Sequence, residues 1–232
     1  MREHLEDFDS LHREIIACRR CPRLVEWRER VAREKRRAFR DQTYWGKPLP
    51  GFGDRAASIV LVGLAPAAHG GNRTGRFFTG DRSGEFLFAG LHRLGLANQP
   101  TSEHRDDGLT LTDVYILAPV RCAPPDNKPT PDEFRNCSGF FDRELLLLRP
   151  KVIVALGSHA WASTLGHFER RGWTPPKPRP AFGHGNEARV EGAPLLLGCY
   201  HVSQQNTQTG RLTPAMFDSV MRRAIDLRTG NG

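Results

Sequence analysis

The chain opens on an apolar repeat at helical spacing: Leu5, Phe8, Leu11, Ile15 and Ile16 predict a helix over residues 3–17. A cysteine pair, Cys18 and Cys21, ends it. Residues 22–41 form a second, heavily charged stretch that reads as an exposed helix from Trp27 to Arg40, followed by a Pro/Gly-rich loop at 46–53. Four later runs follow another pattern. Ala57 to Leu64, Val114 to Val120, Lys151 to Gly157 and Pro194 to Cys199 are short and mostly apolar, which predicts buried strands. Between them Phe86, Leu87, Leu91 and Leu94 mark one face of a helix over 83–94, Leu145 to Leu148 end another, and a third follows Gly157. Residues 173–185, rich in proline and glycine, read as an irregular excursion, and no internal repeat is present.

Strands that alternate with helices and are apolar on both sides predict an α/β fold, a three-layer α/β/α sandwich around a mainly parallel, four-stranded sheet. The 232 residues are expected to form one domain, 1–232, with an N-terminal helical segment of about 1–45 carrying the first cysteine pair. Ligands of such sheets lie outside the carboxyl ends of strands. The loops after Gly63, Val120, Gly157 and Tyr200 are therefore where chemistry is expected.

Composition changes the picture in two ways. Hydrophobic residues at 38% and charged residues at 26% fit a globular protein, and no run reaches the roughly 18 apolar residues of a membrane span. Residues 1–16 lack an apolar secretory core, so a cytoplasmic location is expected and no membrane partner. The net charge of +8, mostly from arginine, suits a polyanionic partner and equally a basic surface kept for solubility.

Four of the five cysteines form two local pairs, Cys18 with Cys21 and Cys122 with Cys137. Folding must join pairs a hundred residues apart before they can share a metal centre. Their spacing accepts zinc or an iron–sulfur cluster, and four unrelated buried thiols remain the plain alternative. Cys199 sits inside an apolar strand and reads as core.

The loop from Gly63 to Asp81, GLAPAAHGGNRTGRFFTGD, matches neither the phosphate-binding P-loop nor the dinucleotide fingerprint. Its glycines let backbone approach a ligand, and Phe77 or Phe78 offers a flat apolar face suited to a planar base. A surface loop whose phenylalanines close the core is the competing reading. After the fourth strand comes HVSQQN, in which His201 is placed to stabilise charge on a leaving group and Ser203 to meet phosphate.

These two motifs, with the four cysteines, resemble the family 5, B-type uracil-DNA glycosylases of the uracil-DNA glycosylase superfamily, over residues 18–211. The resemblance implies a repair enzyme that removes uracil from DNA, a [4Fe–4S] cluster on Cys18, Cys21, Cys122 and Cys137, and extrusion of the target nucleotide into a pocket. It implies that Gly63, Leu64 and Ala65 belong to the base-binding motif, that Phe78 stacks on the base, that His201 meets its O2 edge and that Asn206 closes the second motif. Arg73, Arg76 and Arg211 are expected at phosphates. Monomeric action on DNA containing uracil or other deaminated bases, hypoxanthine for example, is implied too. Two departures loosen the pattern: Ala65 stands where other families carry a water-activating aspartate, and Ala118 where they read uracil with asparagine. Asn72 and Asp81 are then the candidates to position the water, with Asn72 slightly favoured as the mid-loop residue and Asp81 also placed to cap the next helix. Two other functions stay open on residues alone: a non-catalytic zinc or iron–sulfur module that binds nucleic acid, and a nucleotide-binding protein whose cluster transfers electrons.

Overall fold

The computed structural model describes residues 7–228, so Leu5 and the start of the first expected helix lie outside the described residues. Helix α1 (Phe8–Ala17) starts where the Asp7 carboxylate accepts from the Ser10 amide at 2.7 Å. Helix α2 (Pro22–Glu34) starts on a proline whose fixed φ suits the first turn, so Cys18 and Cys21 lie in the bend between two helices. It ends at Lys35, at φ +52, rather than running on to Arg40. Nor is it simply exposed, because Leu24, Val25, Arg28 and Val31 are buried.

The remainder alternates strand and helix. It runs β1 (Phe52–Gly53), β2 (Ile59–Val62), a single turn α3 (Gly71–Thr74), α4 (Arg82–Arg93) and β3 (Val114–Leu117). Then follow α5 (Pro131–Leu148), β4 (Val152–Leu156), α6 (Ser158–Arg170), β5 (Glu187–Ala188), β6 (Leu195–Cys199), the short α7 (Gln204–Gln208) and α8 (Pro214–Arg228). A capping box between Thr130 and Glu133 starts α5. Residues 173–185 carry neither helix nor strand, as their composition predicts.

The sheet order is β1-β3-β2-β4-β6-β5. The four expected strands are its parallel centre. The expectation of four strands in all is corrected to six, since β1 and β5 pair antiparallel at the two edges. Each is two residues long, too short to leave an apolar run in the sequence.

Alternate residues of every central strand enter opposite cores, the period-2 geometry of a pleated strand. Ile59, Leu61, Ile116 and Val154 pack with Leu87 and Phe88 of α4 and Phe217 and Met221 of α8. Val60, Val62, Leu117 and Ile153 pack with Phe141 and Leu145 of α5 and Trp161 and Phe168 of α6. This is the expected α/β/α sandwich. Cys199 is fully buried in the first core. No described helix is long and apolar enough to cross a membrane.

Candidate functional site

From β2 the chain crosses to β3 on one side, and from β4 to β6 on the other, so the order reverses between β2 and β4. A crevice opens outside the carboxyl ends of strands at such a switch point. A cavity of about 460 Å³ lies there, walled by Gly63 and Leu64 after β2, Ala118 after β3, Gly157 after β4 and His201 after β6. A larger hollow of about 830 Å³, lined by Leu145, Lys151 and Trp173, lies at the amino ends of the strands, away from these loops.

Phe78 supplies the flat wall of the cavity. Its φ of +50 is costly for a bulky aromatic residue, and the neighbours hold it there. A Cβ on Gly84 would lie 1.9 Å from the Phe78 carbonyl oxygen, and one on Gly63 would lie 2.9 Å from the ring. Both glycines are therefore room for Phe78. Its ring centroid stands 6.2 Å from that of His201, with the planes at 42°.

His201 is half-buried, and burial lowers its imidazole to about 4, so the ring is neutral at pH 7. Among the described residues its ring makes no hydrogen bond, which leaves a donor free for a ligand. The Asn206 side-chain amide donates to the His201 carbonyl at 2.8 Å, and the Ser203 hydroxyl accepts from the Asn206 backbone N–H to start α7. Asn206 therefore fixes the histidine loop without lining the cavity, whereas Ser203 and Gln205 line it.

Asp81 both caps and faces the cavity. One carboxylate oxygen accepts from the Gly84 amide at 3.0 Å to start α4, as expected. Burial raises its carboxyl above the ordinary value, against the lowering effect of the Gly84 and Ser83 amides and of Arg73. Its other oxygen leaves no room at Gly70, where a Cβ would lie 2.0 Å from it.

Three loop residues are placed otherwise than expected. Asn72 is fully buried, and its amide donates to the Arg28 carbonyl at 3.2 Å, away from the cavity. Arg73 turns inward to the His69 and Gly80 carbonyls, each at 2.7 Å, and to Gln42. Arg76 is ion-paired with Asp107 at 2.7 Å and donates to Ser102 and Thr79. Helix α3 and its following turn fold these side chains under the loop, so neither arginine is free for phosphate. Arg211 is exposed and lies over the Tyr200 ring at 4.8 Å. Sequence reasoning missed Asn127, whose φ of +55 marks a tight bend at the cavity wall. Nothing in the spacing ties the run Pro124 to Lys128 to a motif that begins about sixty residues earlier.

The four cysteines gather at one corner of the same sheet end: Cys18 and Cys21 before α2, Cys122 after β3 and Cys137 within α5. Burial pushes the Cys122 thiol up to about 12 and the Cys137 thiol up to about 11, and each also feels the charge of others of the four. The Arg28 guanidinium donates to Cys122 Sγ at 2.9 Å and to the Cys18 carbonyl at 3.1 Å, and Asn136 donates to Cys21 Sγ at 3.5 Å. Beside them Arg121 Nη1 is ion-paired with Glu144 Oε2 at 2.6 Å, while its Nε and Nη2 have no hydrogen-bond acceptor among the described residues. Among the described residues no three His, Cys, Asp or Glu side chains converge as the ligands of a single ion. Four thiols and two buried cations with spare donors do suit a larger anionic group.

Comparison with known proteins agrees with this geometry. The model of the uracil DNA glycosylase superfamily matches residues 50–224. A type-5 uracil-DNA glycosylase of Thermus thermophilus is 52% identical over 219 residues, covering 94% of this chain and 97% of that protein. One of Mycobacterium bovis is 53% identical over 92% of this chain and 79% of its own length. A type-4 uracil-DNA glycosylase of Archaeoglobus fulgidus is more distant, at 32% over 67% of this chain and 62% of its own. The chain belongs to the uracil DNA glycosylase superfamily, and within it to the type-5 group.

Proposed function

We propose that this chain is a monofunctional DNA glycosylase of base-excision repair, which hydrolyses the N-glycosidic bond of uracil and of other deaminated bases, hypoxanthine among them, turned out of DNA into the switch-point cavity. The observation that carries this reading is the meeting of the Phe78 face and a neutral, unpartnered His201 imidazole at that cavity. In the reaction the base leaves with the electron pair of the bond, and a water oxygen bonds to the sugar carbon and gives up a proton. His201 donates to the O2 edge of the base, where negative charge grows, so its hydrogen bond strengthens in the transition state. Phe78 stacks on the base. Asp81, rather than Asn72, holds the water and takes its proton, a role that a buried carboxylate with a raised pKa suits.

The walls at Ala65 and Ala118 are single methyl groups, with no polar atom to prefer the edge of uracil over that of a purine. This supports a broad choice of bases. Ser203 and Arg211 meet DNA phosphates at the rim. Cys18, Cys21, Cys122 and Cys137 hold a [4Fe–4S] cluster, which supplies a cross-link between the N-terminal helices and the sheet. The protein acts as a one-domain monomer in the cytoplasm.

Abasic-site formation on oligonucleotides carrying uracil or hypoxanthine tests the reading. Cleavable abasic sites are expected from both bases. Products from uracil alone would overturn the broad specificity, and products from neither would overturn the activity.

A further inference from the structure

Three side-chain nitrogens at the cysteine corner have no acceptor among the described residues: Arg28 Nε and the Nε and Nη2 of Arg121. Both residues are shut away from water, at 2% and 1% exposure. A buried guanidinium with unsatisfied donors is among the costliest groups a fold can hold, and it persists where an anion meets it. Among the described residues one carboxylate, Glu144, is ion-paired with either of these two cations; Glu29 feels the charge of Arg28 but is paired with Arg19. Glu144 faces Arg121 and already accepts from His12, Tyr115 and the Gly51 amide, at 3.0, 2.7 and 2.9 Å. Arg28 has no carboxylate partner among its hydrogen bonds; it reaches Cys122 Sγ and the Cys18 carbonyl. The charge of Arg121 in turn bears on Cys137, favouring its thiolate against the effect of burial. Arg28 thus touches Cys122, and the charge of Arg121 is felt at Cys137.

We propose that Arg28 and Arg121 are the counter-cations of the cluster, giving their spare N–H groups to its thiolate and sulfide sulfurs. The inference rests on the cluster reading above. A four-iron, four-sulfide core on four thiolates is anionic, and it becomes more so by one charge when it gains an electron. Fixed positive charge beside it therefore favours the reduced form and raises the reduction potential, while the donors hold the sulfurs in place. Arg28 also has a second tie, since its carbonyl accepts from Asn72 of the glycine-rich loop. That tie uses backbone, so a change of side chain removes the charge and leaves it.

The test uses anaerobically purified protein: the parent, Arg28→Gln and Arg28→Lys, each measured for iron and sulfide content, midpoint potential and rate of iron loss to a chelator. Arg28→Gln is expected to lose iron about tenfold faster and to have a more negative potential. Arg28→Lys, which keeps the charge but not the planar fork, is expected to lose iron faster while its potential stays at the parent value. An Arg28→Gln protein with the parent's potential and iron-loss rate would overturn the proposal. Should Arg28→Gln not fold, Arg28→Lys decides: a parent-like potential supports the charge argument, and a negative shift overturns it. A parent protein that carries no iron would instead remove the cluster reading itself, an outcome distinct from an iron-bearing parent whose variants do not change.

Discussion

The switch-point cavity and the cysteine corner share one end of the sheet, yet they are built on opposite terms. The cavity is made of backbone, small and apolar side chains, the rings of Phe77 and Phe78, and the imidazoles of His159 and His201, with Asp81 and Asp126 as the carboxylates at its wall. The corner packs Arg28, Arg121 and Glu144 at 2%, 1% and 0% exposure around four thiols. A site that must receive an uncharged base gains from having little fixed charge of its own, because the anion then appears only as the bond breaks. A site that must retain a permanent anion needs the reverse. Variants on the two sides should therefore fail differently, one in stability and cofactor content, the other in rate.

The largest effect is expected at Cys137→Ala, which removes one of the links between the N-terminal helices and α5. Iron content should collapse and the melting temperature fall steeply; a Cys137→Ala protein with full iron and an unchanged melting temperature would refute the four-cysteine assignment. Next comes Glu144→Ala. Burial would raise the Glu144 carboxyl, but Arg121 and the hydrogen bonds from His12 and Tyr115 hold it down to about 2. Taking it away leaves Arg121 without a counter-charge from the protein and should cost about 3–5 kcal/mol in denaturant unfolding. A loss under about 1 kcal/mol would mean that the proposed cluster suffices to neutralise Arg121.

On the cavity side, His201→Ala should slow single-turnover excision about a hundredfold, or about 3 kcal/mol, and leave affinity for an abasic-site analogue nearly unchanged. Equal losses of rate and affinity would make His201 a DNA-positioning residue. Because burial lowers its imidazole from the ordinary 6.5 to about 4, the ring already has its working form at neutral pH. No fall in rate from its titration is expected between about pH 6 and 8, and a decline there would point to an imidazolium. The same shift sets a stability trend of definite sign. As pH falls from 6.5 toward 4 the unfolded histidine takes up a proton that the native ring refuses, so this contribution weakens the fold at acid pH and vanishes above 6.5. The smallest effect belongs to the rim: Arg211→Ala should reduce the slope of log affinity against log salt by about 1, the share of one phosphate contact. Arg76→Ala should lower stability and leave that slope alone, since Arg76 is already held by Asp107 and Ser102.

What could be read from the sequence follows from which patterns carry direction. The central strands were legible because runs such as Ile59 to Val62 are apolar on both faces, and the cavity loops followed from where those strands end. Residue type alone does not say which way a loop side chain points. Asn72, Arg73 and Arg76 look like ligands of a polar substrate, yet the single turn of α3 and the bend after it direct all three into protein. Arg28 shows the same limit from the other side. Set among charged neighbours it reads as solvated surface, and only the meeting of α2 with the segment after β3 reveals it as a buried cation. Asn127 could not be linked to Phe78 or His201 by spacing, because separate strands bring them together.

The two-residue strands β1 and β5 have a consequence for life at high concentration. A parallel sheet of four strands has two open borders, each a row of unpaired amides and carbonyls on which a foreign chain could add itself. Phe52–Gly53 and Glu187–Ala188 occupy those borders, and each is too short to serve as a template for a further strand. Within β5, Glu187 pairs with Arg189 and Arg223, which places charge along that border. The ladder of hydrogen bonds is thereby terminated from within, and crowded copies of the chain find no edge on which to begin a shared sheet.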